Sequence, residues 1–372
     1  MNRVGELLPG AMVQPRNERS DNTLMDRQKE AEQFGQGSFE KSGAPRVLVV
    51  MYHYIHGPDA LTRPESPGSY RGVVGLTAEE FASQLDDLCR THEPIDWPMF
   101  YAWMTGRGSI PQRSFLLTFD DGLADHASTV FPILEDRRLR GVFFVPGSVL
   151  SRQQLLCAHA THILLSRMDV ESLFWELHDR LVKLNADAET IAMVDPRAAQ
   201  SCLAAKLYHY ESPVRGYLKY LLTIGLPLSL RDQALEQVFR DKVGAMARWA
   251  RHWYLGWDDL VKMQGAGHTI GGHGFAHNSY ARLSPVEVRA DILHSAAILR
   301  DGLGSDRRPF SFPYGGIPET GGDLLARAGF VHAFTTEPAH VCPGCDPLRI
   351  PRFDTTHVRK TLAQETARCA KA

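Results

Sequence analysis

Two neighbouring carboxylates are the first residues of this chain whose types suggest chemistry: Asp120 and Asp121 follow a short apolar segment and precede Gly122. Two adjacent carboxylates repel each other unless a positive charge lies beside or between them, and a divalent cation supplies such a charge. The alternative is an ordinary solvated Asp-Asp-Gly turn. The pair alone does not decide between a metal site and a turn.

Two histidines further along the chain, His273 and His277, form the second candidate group. Side chains four residues apart lie on the same face of a helical turn, so both imidazoles can reach one metal ion. The glycines around them allow close approach of backbone and ligand. A pair of surface histidines is the alternative for this spacing alone. Together with Asp121, however, the two imidazoles match a catalytic metal site with open positions.

Apolar segments alternate with helical ones along the chain, and both candidate groups come at the ends of apolar segments. Strands are predicted at 46–53, 114–119, 141–146, 268–272, 310–313, 331–335 and 348–353. Helices are predicted at 77–89, 129–138, 257–264, 285–299 and 323–328, the first with Thr77 and Glu80 in capping-box spacing. This alternation predicts a parallel sheet or barrel, whose ligand site lies at the C-terminal strand ends.

The chain is expected to have three parts. Residues 1–44 are polar and lack an apolar period, which predicts a disordered tail. Residues 45–360 are predicted to form the barrel, and residues 361–372 a C-terminal tail. Within the barrel, residues from about 150 to 252 have helical periodicity and no convincing strand. This interval predicts a helical insertion, and a separate helical domain is the alternative.

Composition removes several functional classes. The 372 residues include 41 basic and 43 acidic residues, and a net charge of −2 gives no reason to expect binding to nucleic acid or an anionic membrane. No apolar run is long enough for a transmembrane segment. Residues 1–9 lack the features of a secretory signal, so a cytoplasmic location is expected. The six cysteines are scattered, which favours reduced thiols over disulfides.

The segments that carry these residues resemble the polysaccharide deacetylases (carbohydrate esterase family four, with the NodB-homology domain). Residues 118–122 match the first motif of that family, Thr-Phe-Asp-Asp-Gly, and residues 273–277 match the second, His-x-x-x-His. Residues 310–315 are similar to the third, usually Phe-Arg-x-Pro-Tyr-Gly. The resemblance covers roughly 46–150 and 255–355 and omits the helical interval.

The resemblance implies how a metal would be held and used. Asp121, His273 and His277 would bind a divalent ion, most simply zinc, with cobalt, nickel or manganese as alternatives. Asp120 would be the general base on a water molecule whose pKa the ion lowers.

The resemblance also implies how the substrate would be bound. Tyr314 would donate its backbone N–H to the oxyanion, because Pro313 before it has no N–H. Pro313 would line the substrate site. His53, at the end of the first predicted strand, is expected either to line the pocket or to be a buried, hydrogen-bonded histidine.

Two departures from the family pattern affect these expectations. The arginine of the third motif, which pairs with the base in the family, is Ser311 here, and Arg352 on the last predicted strand is the candidate replacement. An ordinary surface arginine is the alternative for Arg352. The late acid motif of the family has no clear counterpart, and His340 and His357 are the nearest candidates.

A weaker signal leaves open a second metal site. His340 with Cys342 and Cys345 could form a structural zinc knuckle, although no fourth ligand is apparent.

The sequence therefore predicts an α/β protein, a distorted (β/α) barrel of polysaccharide deacetylase type with a helical insertion. Its expected reaction is metal-dependent removal of an N-acetyl or other N-acyl group from an amino sugar, glycan precursor or polysaccharide. Two alternatives stay open: a hydrolase of a non-sugar amide or formamide, and a catalytically inactive carbohydrate-binding relative. The serine-elbow and phosphate-loop motifs are absent from the sequence, which gives no support to serine hydrolysis or phosphoryl transfer.

Overall fold

The computed structural model describes residues 44–57, 73–200, 211–304, 307–318 and 321–369. The predicted N-terminal tail, apart from its last residue, lies outside these ranges. The strands in the described ranges are β1 (Arg46–Tyr52), β2 (Ile55–His56), β3 (Leu76–Thr77), β4 (Glu93–Pro94), β5 (Arg113–Phe119), β6 (Gly141–Val145), β7 (Thr269–Gly272), β8 (Arg308–Ser311), β9 (Phe330–Phe334) and β10 (Phe353–Asp354).

One parallel sheet organises the molecule. Its strands lie in the order β10-β1-β5-β6-β7-β8-β9, with β4 beside β5, and neighbouring strands pair in parallel. The two longest strands, β1 and β5, pair from Arg46 with Arg113 to Tyr52 with Phe119. Both are buried along almost their whole length, as expected for strands of a parallel sheet that is covered on both faces.

The sheet curls so that its last segment approaches its first strand. Ile350 forms a parallel bridge with Phe334 of β9, and three residues later Phe353 pairs with Val50 of β1. The strand predicted at 348–353 is therefore divided between these two contacts, and β10 itself begins only at Phe353. The predicted α/β fold, a distorted (β/α) barrel, is confirmed.

Helices connect the strands and cover the sheet. They are α1 (Ala78–Thr91), α2 (Trp97–Met104), α3 (Phe131–Asp136), α4 (Cys157–Leu165), α5 (Val170–Lys183), α6 (Ala188–Met193), α7 (Pro213–Tyr220), α8 (Leu228–Lys242), α9 (Met246–Trp253), α10 (Trp257–Gly265), α11 (Pro285–Leu303), α12 (Gly321–Ala328) and α13 (Thr355–Cys369). The capping box of α1 forms as predicted, because Thr77 and Glu80 each accept the other's backbone N–H. Among the described residues, no helix is long and apolar enough to cross a membrane.

Helices α4 to α9 occupy the interval between β6 and β7 for which the sequence predicts an insertion. Their apolar faces pack together; in α5, for example, Leu173, Leu177 and Leu181 are almost completely buried. At the other end of the chain, α13 runs across residue 361, where the predicted C-terminal tail begins. The division into barrel, insertion and tails stays a prediction.

Candidate metal centre

The two aspartates follow directly from the end of β5. The N–H of Asp120 donates to the carbonyl of Tyr52 at 2.9 Å, which extends the pairing with β1 by one residue. Asp121 then adopts a left-handed backbone conformation with φ of 76°, followed by Gly122 with φ of 63°. A non-glycine residue adopts this conformation only at a cost, and such strain is concentrated at functional sites. The turn places both carboxylates at the C-terminal edge of the sheet.

The two histidines follow the end of β7 at the same edge. The N–H of His273 donates to the carbonyl of Val145, and its Nδ1 donates to the carbonyl of Ser311 at 2.7 Å. Because a carbonyl can only accept, Nδ1 carries a hydrogen, which leaves Nε2 as the nitrogen that can bind a metal ion. His277 has φ of 54° and brings its ring to within 4.8 Å of the His273 ring, measured between centroids.

One carboxylate oxygen faces both imidazoles. Oδ1 of Asp121 lies 3.4 Å from Nε2 of His273 and 3.1 Å from Nε2 of His277, and all three residues are buried. One ligand atom from each of these residues lies within 4.8 Å of the others.

Oδ1 of Asp121 is buried and accepts no hydrogen bond. A buried carboxylate oxygen without a donor is costly, and a divalent cation would satisfy it. The donor set, one carboxylate oxygen and two imidazole nitrogens, also suits a catalytic divalent metal. These residues therefore fit a divalent metal ion.

The carboxylate of Asp120 is paired with a buried arginine. The Nη1 and Nη2 atoms of Arg352 donate to the two carboxylate oxygens of Asp120 at 2.8 and 2.7 Å, and Arg352 has no exposed surface. Nη2 also donates to Oγ of Ser311 at 2.8 Å, and Nε donates to the carbonyl of Thr335. The guanidinium thus lies against Ser311, the position where the family motif has its arginine.

The charge of Asp120 is controlled by its surroundings. Burial opposes ionisation of the carboxyl, but the positive charge of Arg352 and the nearby His273 outweigh burial and lower the pKa of Asp120 to about 2. For Asp121, burial is opposed by His277, His159 and His273, which hold the pKa of this carboxyl well below its usual value. Both groups are therefore carboxylates near neutral pH.

The segment after β8 forms a short 3₁₀ turn over Pro313–Gly315. Tyr314 within it has φ of 58°, so left-handed backbone occurs in this turn as well as at Asp121 and His277. The ring of Tyr314 lies 4.9 Å from that of His277, and Pro313 is buried. The turn therefore lies beside the carboxylate–imidazole cluster.

His53 lies near the same cluster. It is partly exposed, its carbonyl accepts from Nε2 of His126 at 3.0 Å, and its imidazole contributes to the low pKa of Asp120. The two acid candidates are differently placed, since His340 packs against the ring of Phe353 and His357 lies exposed on α13.

The zinc knuckle that the sequence left open around His340 finds no support among the described residues. Cys342 and Cys345 are free thiols, and within the described residues no third ligand atom gathers with them at metal-binding distance.

A buried acidic residue that was not predicted from the sequence, Asp291, shapes the histidine loop. Oδ1 of Asp291, in α11, accepts from the N–H of Phe275 at 2.8 Å and from the hydroxyl of Tyr280 at 2.7 Å. Its Oδ2 accepts from the N–H of Ala276 at 2.8 Å. These bonds fix the backbone between His273 and His277, and only the placement of Asp291 on the buried face of a helix could have suggested this role.

Replacing Asp291 by asparagine should therefore destabilise the protein. In Asp291→Asn one carboxylate oxygen becomes an amide NH₂ that cannot accept, so at least one of the three donors loses its acceptor. We expect the free energy of unfolding to fall by about 2 kcal/mol, as measured by urea denaturation. Asp301→Asn on the same helix is the control, because Asp301 is exposed and should change stability by less than about 0.5 kcal/mol. Equal effects of the two substitutions would contradict the role given to Asp291.

Known proteins resemble this chain in sequence and in fold. A family model described as polysaccharide deacetylase matches residues 240–333, which contain the histidine pair and the third motif. No curated protein matches this chain. The solved de-N-acetylase from Aggregatibacter actinomycetemcomitans is 17% identical with a TM-score of 0.50, over 85% of this chain and 99% of that chain. IcaB from Ammonifex degensii is 18% identical with a TM-score of 0.49, over 86% of this chain and 96% of that chain.

The structural likeness and the match to the family model support different conclusions. At 17% identity the structural likeness to the de-N-acetylase shows a shared fold. The family model adds a match in sequence over the segment that carries His273, His277 and Tyr314. The chain therefore shares its fold with a solved de-N-acetylase and, over residues 240–333, matches the polysaccharide deacetylase family in sequence.

Proposed function

We propose that this protein removes an N-acetyl group from an amino sugar, either free, in a glycan precursor or in a polysaccharide. One observation carries the proposal. An arginine-paired carboxylate, Asp120, lies beside a carboxylate–imidazole cluster, and Nε2 of His273 is 3.8 Å from its Oδ2. A binding protein would need no carboxylate held in this way, whereas hydrolysis of an amide needs a base next to a Lewis acid.

The cation is proposed to be zinc, held by Asp121, His273 and His277. Two imidazoles and one carboxylate are a usual ligand set of catalytic zinc sites, which keep a position open. When bound, such an ion acts as a Lewis acid and lowers the pKa of a water molecule to about 7. The Nδ1–H of His273, bonded to the carbonyl of Ser311, keeps Nε2 available as a ligand.

Asp120 is proposed as the general base. Arg352 holds both of its oxygens and keeps the carboxylate ionised and oriented, and Ser311 adds a longer hydrogen bond of 3.3 Å to Oδ2. In this role Asp120 accepts the proton that the attacking water loses. Arg352 then acts through Asp120 and does not itself touch the substrate.

The turn after β8 is proposed to bind the reacting carbonyl. The left-handed conformation of Tyr314 gives its backbone N–H a direction that a residue in a right-handed turn would not have. This N–H would donate to the oxyanion as the amide is attacked. Pro313 and His53 would contact the substrate beside it.

The position of the insertion supports a preference for small or defined substrates over long polymers. Nη2 of Arg231, in α8, donates to Oδ1 of Asn278 at 2.9 Å, next to His277. Nη1 of Arg282 donates to the carbonyl of Thr223 at 3.1 Å. The insertion therefore packs directly against the histidine loop, where it would narrow access. Faster deacetylation of long chitin-like chains than of monosaccharide conjugates would contradict this preference.

Removing the metal should abolish the reaction. We expect a chelator to reduce acetate release from N-acetyl amino sugars to background, and stoichiometric zinc to restore it. The measurement pairs elemental analysis with acetate release, and circular dichroism of the chelated protein checks that it stays folded. Undiminished acetate release from protein shown to be free of metal would refute a metal-dependent mechanism.

The acyl group and the sugar are tested separately. A panel of N-acetyl and N-formyl substrates, with and without a sugar, distinguishes the proposed activity from hydrolysis of another amide. The cytoplasmic location stays a prediction, and fractionation of cells that express the full chain tests it.

A further inference from the structure

A histidine of the insertion reaches the candidate metal centre. His159 lies in α4, about a hundred residues from the histidine pair in sequence, and it is 1% exposed. Its Nε2 lies 3.0 Å from Oδ2 of Asp121. None of the family motifs includes this residue, and it lies outside the segment that the family model matches. The insertion thus supplies a side chain that contacts a proposed metal ligand.

The hydrogen bonds around His159 fix which nitrogen carries the hydrogen. An ionised carboxylate only accepts, so the 3.0 Å contact requires an Nε2–H that donates to Asp121. Nδ1 lies 2.7 Å from the hydroxyl of Tyr254, which accepts the N–H of Leu156 at 2.8 Å. The hydroxyl therefore has its own hydrogen to donate to Nδ1. In this series of hydrogen bonds, every donor has an acceptor when the imidazole of His159 is neutral and protonated at Nε2.

In this arrangement the two oxygens of the Asp121 carboxylate have different roles. Oδ2 accepts from His159, while Oδ1 faces Nε2 of both His273 and His277 and has no hydrogen-bond partner. His159 therefore leaves a single oxygen directed at the proposed ion and restrains rotation of the carboxylate. With a hydrogen on Nε2, His159 is an outer partner of the site rather than a ligand.

The C-terminal end of the insertion is fixed to the turn that carries Asp121. Tyr254 forms an antiparallel bridge with Leu123, and the N–H of Leu255 donates to the carbonyl of Gly122 at 2.9 Å. The N–H of Ala124 donates to the carbonyl of Trp253 at 2.9 Å. The tyrosine that holds His159 is thus anchored in the same turn whose carboxylate His159 contacts.

We propose that His159, held by Tyr254, is a positioning residue that orients Asp121, so that docking of the insertion sets the affinity of the metal site. The inference rests on the proposed function, since it takes Asp121 as a metal ligand. Partners that hold a metal ligand in place typically contribute about 10- to 100-fold to metal affinity or activity.

Metal affinity, measured without substrate, is the test. Zinc dissociation constants of the full-length protein are obtained by competition with a chromophoric chelator for the wild type, His159→Leu, His159→Gln and Tyr254→Phe. We expect His159→Leu to raise the dissociation constant about 10- to 100-fold. His159→Gln should recover part of this loss, because its amide NH₂ can still donate to Asp121. The absorption spectrum of the Co²⁺ form should change in His159→Leu, because the freed carboxylate can bind through both oxygens.

A double variant separates positioning from a merely structural role. Because Tyr254 acts through His159, His159→Leu combined with Tyr254→Phe should bind zinc no more weakly than His159→Leu alone. His162→Leu is the matched control: His162 lies one turn along α4, bonds to the hydroxyl of Tyr54 and should leave zinc affinity unchanged.

The outcomes distinguish this inference from the proposed function. If the wild type binds one zinc ion and folded His159→Leu and Tyr254→Phe bind it equally tightly, the positioning role is wrong and the proposed function stands. If the wild type binds no divalent ion, the metal-dependent function is wrong, and the positioning role with it. Should His159→Leu fail to fold, His159→Gln and Tyr254→Phe decide by the same criterion.

Discussion

Asp120→Asn is expected to lower kcat for deacetylation by about 100- to 10,000-fold while the protein keeps its metal. The amide has nearly the shape of the carboxylate but cannot accept a proton from the attacking water. The proposed ligands Asp121, His273 and His277 are unchanged, so zinc content should stay at that of the wild type. The measurement is kcat for acetate release, with elemental analysis of the same preparation.

The control for this substitution is Asp136→Asn. Asp136 is an exposed aspartate at the end of α3, and its replacement should change neither kcat nor stability. Undiminished kcat in fully metal-loaded Asp120→Asn would mean that another group takes the proton. Loss of the metal together with activity would mean that Asp120 is a ligand and not the base.

The main features of the sheet could be predicted from sequence because its strands are buried on both faces. The core strands β1, β5 and β6 are short segments made mostly of apolar residues, chiefly Val, Leu and Phe, and such segments have few other places in a soluble protein. Because parallel strands end at one edge of a sheet, the residues just after β5 and β7 were expected to meet there. The distances between Asp121 and the two histidines agree with that expectation.

Helix α2 was not predicted, and its sequence explains why. Its eight residues, Trp97–Met104, are apolar on nearly every side, so no amphipathic period distinguishes the helix from a strand or loop. Its strongest local signal is Asp96, which caps the first turn by accepting from the N–H of Met99. Helix α2 therefore owes its position to packing: Trp97 and Phe100 are buried among apolar side chains that include Phe334 of β9.

The candidate site was predictable only as far as its motifs extend. Arg352 could be proposed because Ser311 replaces the usual arginine of the third motif, so that another cation was expected close to Asp120. His159 had no such signal: one histidine in a helical segment gives no indication that it reaches a carboxylate 38 residues earlier in the chain. Its place depends on how the insertion docks, a tertiary arrangement that local sequence does not encode.

The buried pair of Asp120 and Arg352 should also dominate the stability of this region. Arg352→Met is expected to lower the free energy of unfolding of metal-free protein by about 3–5 kcal/mol, because it leaves a buried carboxylate without its partner. Asp120→Asn should also be destabilising, since the amide gives the buried guanidinium one neutral acceptor in place of a carboxylate. Urea denaturation of metal-free protein measures both effects without a contribution from bound metal.

The double variant tests whether the two side chains act as a pair. Removing both charges leaves neither group buried alone, so Asp120→Asn/Arg352→Met should be about 1–3 kcal/mol more stable than the sum of the single effects implies. Arg352→Lys is the matched control for charge: lysine keeps the positive charge but cannot bind both carboxylate oxygens at once, so it should recover only part of the loss. Strictly additive single effects would mean that Asp120 and Arg352 contribute independently to the free energy of unfolding. This result would contradict the proposal that Arg352 orients the base.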